Sequence, residues 1–377
     1  FIISFFVLFM TVQPSVSFWD CGEFVAASVS LQVPHPPGTP FFLLLGNIFS
    51  KLPIGENLGY RVNMISVISS AISILLLYLI AVKLIENYKG KKADNMFDAI
   101  ATYVSAAIGA LAFSFSDTFW FNGVEAEVYA FSTFLFAAVT YLIIRWNERA
   151  DNTDSEKYIL MIAYLTGLST GVHLMSVLAL VPVVMIVMFR KYVNDEESLK
   201  KTGYIFLGHI VIILLLAVFW WSSQKSQTAP TLEEYKDFDT KFKLFIAGIS
   251  ALIMGVYWKK IFTRNSFYMP LIIGGIALFA TYPGVVKYLP ELMTAIAGDN
   301  IVTEIIILAV LFAGLAYGVH YSRKESKPTL HLVFMSFIFI LVGFMTFAMV
   351  IIRSNQNPPM DENDPDTFTE LVKYLNR

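Results

Sequence analysis

The sequence predicts an all-α membrane protein that crosses the bilayer many times, and three observations lead to this prediction. Of the 377 residues, 56% are hydrophobic and only 15% are charged. Long apolar runs alternate with short charged gaps along the whole chain. Such a composition is typical of polytopic membrane proteins and not of aqueous globular domains. The net charge of −2 argues against nucleic acid as a partner.

A helix of about 20 apolar residues crosses the hydrocarbon core of a bilayer. The long run at 158–189 contains Gly167, Gly171 and His173 near its middle, so we divide it into two short helices joined by a turn at "STGVH". The run at 41–52 is too short to span and is predicted to be an interfacial or re-entrant helix. About eleven spans result: 1–13, 58–82, 97–116, 128–146, 158–171, 173–189, 203–222, 244–260, 267–282, 302–320 and 331–352.

The distribution of lysine and arginine predicts the orientation of these helices. With the N-terminus in the cytoplasm, most of the 27 lysines and arginines fall in inner loops. We therefore expect residues 1–352 to form a membrane domain that includes an outer-face loop at 14–57. Residues 353–377 are expected to begin a periplasmic C-terminal segment that continues beyond this chain.

The motif "SFWDCGEF" places Asp20 and Glu23 directly after the first apolar run. We predict a helix over 18–33, with Ser17 as its N-cap, so the two carboxylates share a face. Charge near hydrocarbon is costly and indicates a functional site. The pair is a candidate general base with a helper. The alternative is that Asp20 only caps the helix.

The loop "HPPGTP" contains His35 and a glycine between prolines that restrict the backbone. His35 is a candidate to bind substrate or to hold Asp20 or Glu23, and the alternative is a purely structural role. These three residues can also bind a metal, but one histidine with two acids is not a specific signal. With one cysteine there is no internal disulfide. We predict no metal and no cofactor.

The stretch "WFNGVEAEVYAF" adds Asn122, Glu125 and Glu127 as candidate substrate-binding residues. Acids at a helix N-terminus are favoured by the helix dipole, which is the alternative explanation for either glutamate. Residues i and i+2 of a helix point to different faces. We therefore expect that the two glutamates do not serve one site.

Three further candidates lie on the same predicted side of the membrane. His173 occupies the turn between two short helices, and Arg353 and Asn355 follow the final span. A guanidinium suits the oxygens of a phosphate group, so these residues are candidates for binding a phosphate-bearing donor. An arginine just beyond a helix end is otherwise an anchor at the membrane interface.

Four stretches carry a resemblance to a known family: "PSVSFWDCGEFVAASVSLQVPHPPGTPFFLLLG", "VEAEVYAFS", "GLSTGVHL" and "RSNQNPPMDENDPDTFTELVKYLNR". They resemble the bacterial family related to protein O-mannosyltransferases, within the GT-C superfamily of polytopic, polyprenol-dependent glycosyltransferases. The resemblance implies a GT-C-like membrane domain with a catalytic acid in the first outer loop, here Asp20 with Glu23 beside it. It also implies basic groups for the lipid phosphate, at His173 and Arg353.

The resemblance implies an inverting glycosyltransferase of the bacterial inner membrane, with its active site facing the periplasm. Its partners are a polyprenyl-phosphate sugar, most simply mannose, an exported protein that accepts the sugar on serine or threonine, and membrane lipid. The alternative is a transporter or a structural subunit of a membrane assembly. A transporter would carry ionisable residues along a path through the mid-bilayer.

Overall fold

The computed structural model describes residues 1–223, 231–298 and 300–376. Within these residues every regular element is helical, and the β-type contact is an isolated parallel bridge between Val33 and Asp361. The predicted all-α class is therefore confirmed. The chain forms two compact units, one made of Phe1–Leu180 with Leu278–Arg377 and the other of Val181–Ala277.

The first unit begins with the helices that carry most of the candidate residues. A π-helical turn, Ile100–Val104, joins the helices Met96–Ala99 and Ser105–Ser114, and a short 3-10 helix, Leu174–Ala179, follows the helix Glu156–Thr170. In chain order the α-helices are α1 Ile2–Met10, α2 Cys21–Ser30, α3 Pro40–Ser50, α4 Leu58–Lys89, α5 Met96–Ala99, α6 Ser105–Ser114, α7 Asp117–Gly123, α8 Val128–Glu148 and α9 Glu156–Thr170.

The second unit contains α10 Leu180–Lys191, α11 Glu196–Ser223, α12 Leu232–Val256, α13 Trp258–Ile261 and the start of α14 Tyr268–Phe279. His209 of α11 lies 3.2 Å from the Tyr268 hydroxyl through Nδ1 and 3.1 Å from Ser250 Oγ through Nε2. Both ring nitrogens are thus occupied by contacts that join three helices of this unit.

The chain then completes the first unit. A π-helical stretch, Ala280–Tyr288, precedes α15 Leu289–Ala297, α16 Ile301–Lys324 and α17 Pro328–Phe344. A 3-10 turn, Met345–Phe347, leads into α18 Ala348–Ser354, and α19 Phe368–Leu375 is the last helix described. α17 packs against α9 so closely that a Cβ on Gly167 would lie 2.2 Å from the Ile340 carbonyl oxygen.

All eleven predicted segments are helical, but the described residues contain eight helices that are long and apolar enough to cross a membrane: Leu58–Lys89, Met96–Ser114, Val128–Glu148, Leu174–Lys191, Glu196–Ser222, Tyr268–Ala297, Val302–Lys324 and Pro328–Ser354. α1, with nine residues, rises only about 14 Å. α9 has 15 residues, and the charges of α12 extend as far as Lys243, so that its apolar part runs only over 244–256. The expected break at Gly171–His173 is present.

The loop before α2 is held by α4 and by a core between the first helices. Asn63 of α4 is fully buried, and its Nδ2 donates to the carbonyl oxygens of Gln13 and Ser15 at 2.8 and 2.9 Å. Phe24 and Phe42 belong to a buried cluster between α2, α3, α4 and α8. The start of α2 is therefore fixed from both sides.

The helix predicted over 18–33 is shorter than expected, since α2 runs only from Cys21 to Ser30. Ser17 is not its N-cap, because the Ser17 hydroxyl donates to Glu125 instead. Asp20 occupies the N-cap position, but its side chain makes no capping hydrogen bond. At the other end Leu31 adopts a left-handed conformation with φ of 50°, which stops the helix before Pro34.

Candidate active site

Asp20, Glu23 and His35 lie together at the start of α2. Glu23 accepts two hydrogen bonds from His35, at 2.6 Å from the backbone nitrogen and at 2.7 Å from Nδ1. His35 Nε2 lies 3.9 Å from Asp20 Oδ2. Because both oxygens of Glu23 are occupied by His35, this carboxylate orients the imidazole. The Asp20 side chain is 57% exposed and that of Glu23 is 22% exposed, so Asp20 is the more accessible carboxylate of the two.

The charge on His35 is favoured by its surroundings. Partial burial lowers the pKa of His35, but the hydrogen bond and negative charge of Glu23 outweigh this effect, helped by Asp20 and Glu362. The pKa of His35 is therefore raised above its ordinary value. A positive imidazolium between two carboxylates is stabilised by both of them.

Among the residues that the structure describes, these same three side chains form the group that could hold a cation. One ligand atom from each of Asp20, Glu23 and His35 lies within 4.8 Å of the others. Two carboxylate oxygens and one imidazole nitrogen suit several divalent metals and select none of them. The ion pair between Glu23 and His35 already satisfies much of this donor set.

A second, buried group of side chains lies behind Asp20. Ser17 donates to Glu125, and Ser17 Oγ also lies 3.2 Å from Cys21 Sγ. The Cys21 thiol lies 3.8 Å from Glu127 Oε1. Glu125 and Glu127 are only 1% and 5% exposed. We call Ser17, Cys21, Glu125 and Glu127 the buried polar group.

Burial sets the protonation of this group. It raises the pKa of Glu127 to about 7, and the negative charge of Asp20 adds to the shift. Burial also raises the pKa of Glu125, although hydrogen bonds from Ser17 and Cys21 oppose it. The pKa of the Cys21 thiol is raised to about 12, chiefly by burial. Cys21 is therefore a protonated donor and not a thiolate nucleophile.

The expectation that Glu125 and Glu127 point to different faces is wrong. It assumed that both stand on a helix, whereas α8 begins only at Val128. Glu127 has φ of −121° and ψ of 152°, and it follows a bend at 124–126 in which Glu127 N donates to the Glu125 carbonyl oxygen at 2.8 Å, so the helical spacing rule does not apply to this pair. Both glutamates consequently reach the loop that carries Ser17 and Cys21.

Arg353 and Asn355 bond to the backbone of the protein. The Arg353 guanidinium donates to the carbonyl oxygens of Leu31 and Ser30 at 2.5 and 2.9 Å, and also to Gln356. These carbonyls end α2, whose ten residues rise about 15 Å from Asp20. Asn355 Nδ2 donates to the carbonyl oxygens of Ile351 and Asp366. A phosphate-binding role for either residue stays a prediction.

His173 and Asn122 lie beside a separate cavity of about 400 Å³. His173 Nδ1 accepts the backbone N–H of Met175 at 3.1 Å, and its ring lies 5.1 Å from that of Tyr129. Burial lowers the pKa of His173, so the neutral ring keeps Nε2–H as a donor. Asn122 Nδ2 donates to the Thr118 carbonyl oxygen. The cavity lining includes Asn122, Tyr129 and Met175, and is otherwise largely apolar.

Sequence reasoning missed three residues that shape this site. Ser17 was interpreted only as a helix cap, and Cys21 only as a cysteine without a disulfide partner. Tyr374, which is fully buried and bonded to the loop of His35, was not singled out at all. For Ser17 and Cys21 the sequence did offer a signal, since both are polar residues that lie close to acids near the predicted membrane surface.

The fold and the site define a polytopic helical membrane protein with an accessible carboxylate supported by a histidine and buried glutamates. Residues 20–196, which include most of these side chains, match the family model described as the protein O-mannosyl-transferase TMEM260 N-terminal domain. Over this region the chain is therefore similar to a membrane family of protein O-mannosyltransferases, which is the likeness that its motifs predicted.

Two curated proteins show the extent of the likeness. The chain is 27% identical over 195 residues to protein O-mannosyl-transferase TMEM260 of Mus musculus, over 52% of this chain and 26% of the mouse protein. It is 27% identical over 183 residues to protein O-mannosyl-transferase tmem260 of Dictyostelium discoideum, over 46% of this chain and 20% of that protein. The chain therefore spans about a quarter or less of these relatives. No solved structure matches it.

Proposed function

We propose that this chain carries the catalytic membrane part of a protein O-mannosyltransferase. The donor is a polyprenyl-phosphate sugar, and the acceptor is a serine or threonine hydroxyl of an exported protein. The reaction takes place at the periplasmic face of a bacterial inner membrane. The two relatives are named protein O-mannosyl-transferases, which supports the activity, and the family resemblance supports the donor and the location.

The observation that carries the proposal is the position of the Asp20 carboxylate. It is exposed, it makes no capping bond to α2, and it lies 3.9 Å from His35 Nε2. Helix capping therefore does not explain why an acid stands there. A carboxylate held beside a second acid–base group is suited to remove a proton from an incoming hydroxyl.

The proposed transfer is a single displacement. The acceptor oxygen attacks the anomeric carbon while Asp20 takes the hydroxyl proton, and the bond from that carbon to the phosphate oxygen breaks. The electron pair leaves with the lipid phosphate, which is a good leaving group without a strong acid. Attack opposite the leaving group inverts the anomeric centre.

The other candidates take supporting roles in this proposal. Glu23 orients His35, and His35 stabilises the charge of Asp20. Glu125 and Glu127, which were predicted to bind substrate, act from behind Asp20 because both are buried. His173, whose Nε2–H is a donor, is the residue we assign to the donor phosphate, with Asn122 beside it. Arg353 and Asn355 are proposed as more distant contributors to phosphate binding.

The rival functions find less support. A transporter needs ionisable groups along a path through the membrane. The acids and histidines considered above lie at the start of α2, in the loops before α3 and α8, and just after α9, which are all helix ends or loops. His209 stands inside a span, but its two ring nitrogens are both within hydrogen-bond distance of neighbouring side chains.

Asp20→Asn tests the proposed function. Asparagine keeps the shape of the side chain but cannot take a proton, so transfer should fall by about 10²–10⁴-fold while folding is retained. The measurement is mannose transfer from a polyprenyl-phosphate donor to an exported acceptor, in purified full-length protein. Asp117→Asn, which changes another exposed acid at the start of α7, is the matched control and should retain activity. Full activity of Asp20→Asn would refute the assignment.

A further inference from the structure

The loop that carries His35 is held by the end of the chain. We call residues 353–376 the C-terminal arm. Backbone hydrogen bonds join Val33 N to the Met360 carbonyl oxygen and Glu362 N to the Val33 carbonyl oxygen, each at 3.0 Å. Met360 N donates to Gln32 Oε1 at 2.7 Å. With the Arg353 bonds to Ser30 and Leu31, the arm contacts every residue from 30 to 33.

Tyr374 continues this series of contacts to Pro34 and His35. Its hydroxyl donates to the Pro34 carbonyl oxygen and lies 3.3 Å from that of His35. The side chain is fully buried and packs with Val33 and Leu371. A buried hydroxyl with a defined acceptor fixes the position of the peptide that it bonds.

The close contact with the Tyr374 side chain also explains why the residue at position 38, in the motif "HPPG", is a glycine. Gly38 has φ of +80°, and a Cβ at this position would lie 2.5 Å from the Tyr374 hydroxyl oxygen. The backbone therefore approaches the tyrosine more closely than any other residue type permits. Gly38 N donates to the His35 carbonyl oxygen at 2.9 Å, which closes a turn over residues 35–38. This turn lies against the Tyr374 side chain.

His35 connects the loop held by Tyr374 to the carboxylates of Glu23 and Asp20. Its backbone nitrogen and its Nδ1 both bond Glu23, and its Nε2 faces Asp20. Glu362 of the arm adds a negative charge that acts on the imidazole. A continuous series of contacts thus runs from Tyr374 through the peptide at residues 34 and 35 to His35, and from His35 to Glu23 and Asp20.

We infer that Tyr374 is a positioning residue of the active site and that the C-terminal arm holds the imidazole of His35 in place beside Asp20. The inference rests on the proposed function in assigning Asp20 to catalysis. Tyr374 itself touches only the loop, so its contribution passes through His35. Small displacements of a catalytic group are costly, because about 1 Å can lower a rate by about 10²-fold.

The first test measures the loop without any activity assay. Tyr374→Phe keeps the ring and removes the hydroxyl. Hydrogen–deuterium exchange at the backbone amides of Val33, His35 and Gly38 should become faster, because the hydroxyl that donates to the Pro34 carbonyl oxygen and contacts that of His35 is lost. Tyr88→Phe, at an exposed tyrosine at the end of α4, is the control and should leave exchange unchanged. Unchanged exchange in Tyr374→Phe overturns the inference. Gln32→Leu, which removes the bond from Met360 and a longer one to the Ala26 carbonyl oxygen, should give a smaller increase and serves if Tyr374→Phe does not fold.

The second test is a double-mutant cycle on transfer. Tyr374→Phe should lower kcat by about 10–100-fold with little change in KM. If Tyr374 acts through His35, the double variant with His35→Gln should be no slower than His35→Gln alone, because effects of coupled residues do not add. If the two rate losses instead multiply in the double variant, Tyr374 acts through general stability and not through His35, and the inference is overturned. An inactive Asp20→Asn beside a fully active Tyr374→Phe would retain the proposed function and reject only the positioning role.

Discussion

Glu127 is a carboxyl group whose protonation should be visible in the stability of the whole protein. Burial raises its pKa from 4.5 to about 7. The folded state therefore binds a proton more tightly than the unfolded state. The resulting stabilisation is complete below pH 4.5 and is lost as the pH rises through about 7. A shift of this size corresponds to about 3 kcal/mol at most.

We predict that the unfolding temperature falls between pH 5.5 and pH 8, and that Glu127→Gln makes this fall smaller. Glutamine has no proton to lose, so the cost of burying a charge disappears. Thermal unfolding in detergent at both pH values measures the effect. Glu56→Gln, at an exposed acid in the loop before α4, is the control and should keep the parent's pH dependence. The same pH dependence in Glu127→Gln and in the parent would contradict the assignment.

At the scale of elements, the contact between α9 and α17 depends on two glycines. A Cβ on Gly167 would lie 2.2 Å from the Ile340 carbonyl oxygen, and one on Gly343 would lie 2.5 Å from the Leu168 backbone nitrogen. In both cases the neighbouring atom belongs to a backbone and cannot rotate away. Small residues permit such close approach of helices in membranes, where packing drives association.

Gly167→Ala and Gly343→Ala should each lower the free energy of unfolding by about 1–3 kcal/mol, the usual cost of overpacking a closely packed contact. Gly109→Ala is the matched control, because nothing lies within 4 Å of a Cβ at that helical position. Alanine favours a helix over glycine by up to about 1 kcal/mol, so this control should be neutral or stabilising. Equal stability of all three variants in denaturant or thermal unfolding would disprove the close crossing.

At the scale of the whole molecule, the prediction concerns sidedness. Residues 14–57, 117–128 and 353–377 should all lie on the non-cytoplasmic side, since the lysines and arginines favour this orientation. Ser116→Cys and Asn357→Cys should react with a membrane-impermeant thiol reagent added from outside. Asn152→Cys, in a predicted inner loop, should react only after the membrane is opened. The native Cys21 is buried and contributes little background. Labelling of positions 116 and 357 from opposite sides would exclude one common active site.

The association of Asp20, Glu23 and His35 could be anticipated because the three residues lie within one short stretch of chain. Local backbone rules were enough to place them near one another, although the helix between them is shorter than predicted. The pairing of Ser17 with Glu125 and of Cys21 with Glu127 joins residues more than 100 positions apart. No local pattern specifies such a pairing, since it depends on how α2, α4 and α8 pack.

The sequence by itself determined that the protein is helical and membrane-spanning, where its apolar helices lie, and which loops carry its acids and histidines. These properties follow from hydropathy and from short-range backbone preferences, which each segment expresses on its own. Only the tertiary structure decided that Glu23 is occupied by His35, that Arg353 bonds the end of α2, and that Tyr374 supports the loop of His35. Those contacts depend on distances between remote segments, and such distances are set only when the helices pack.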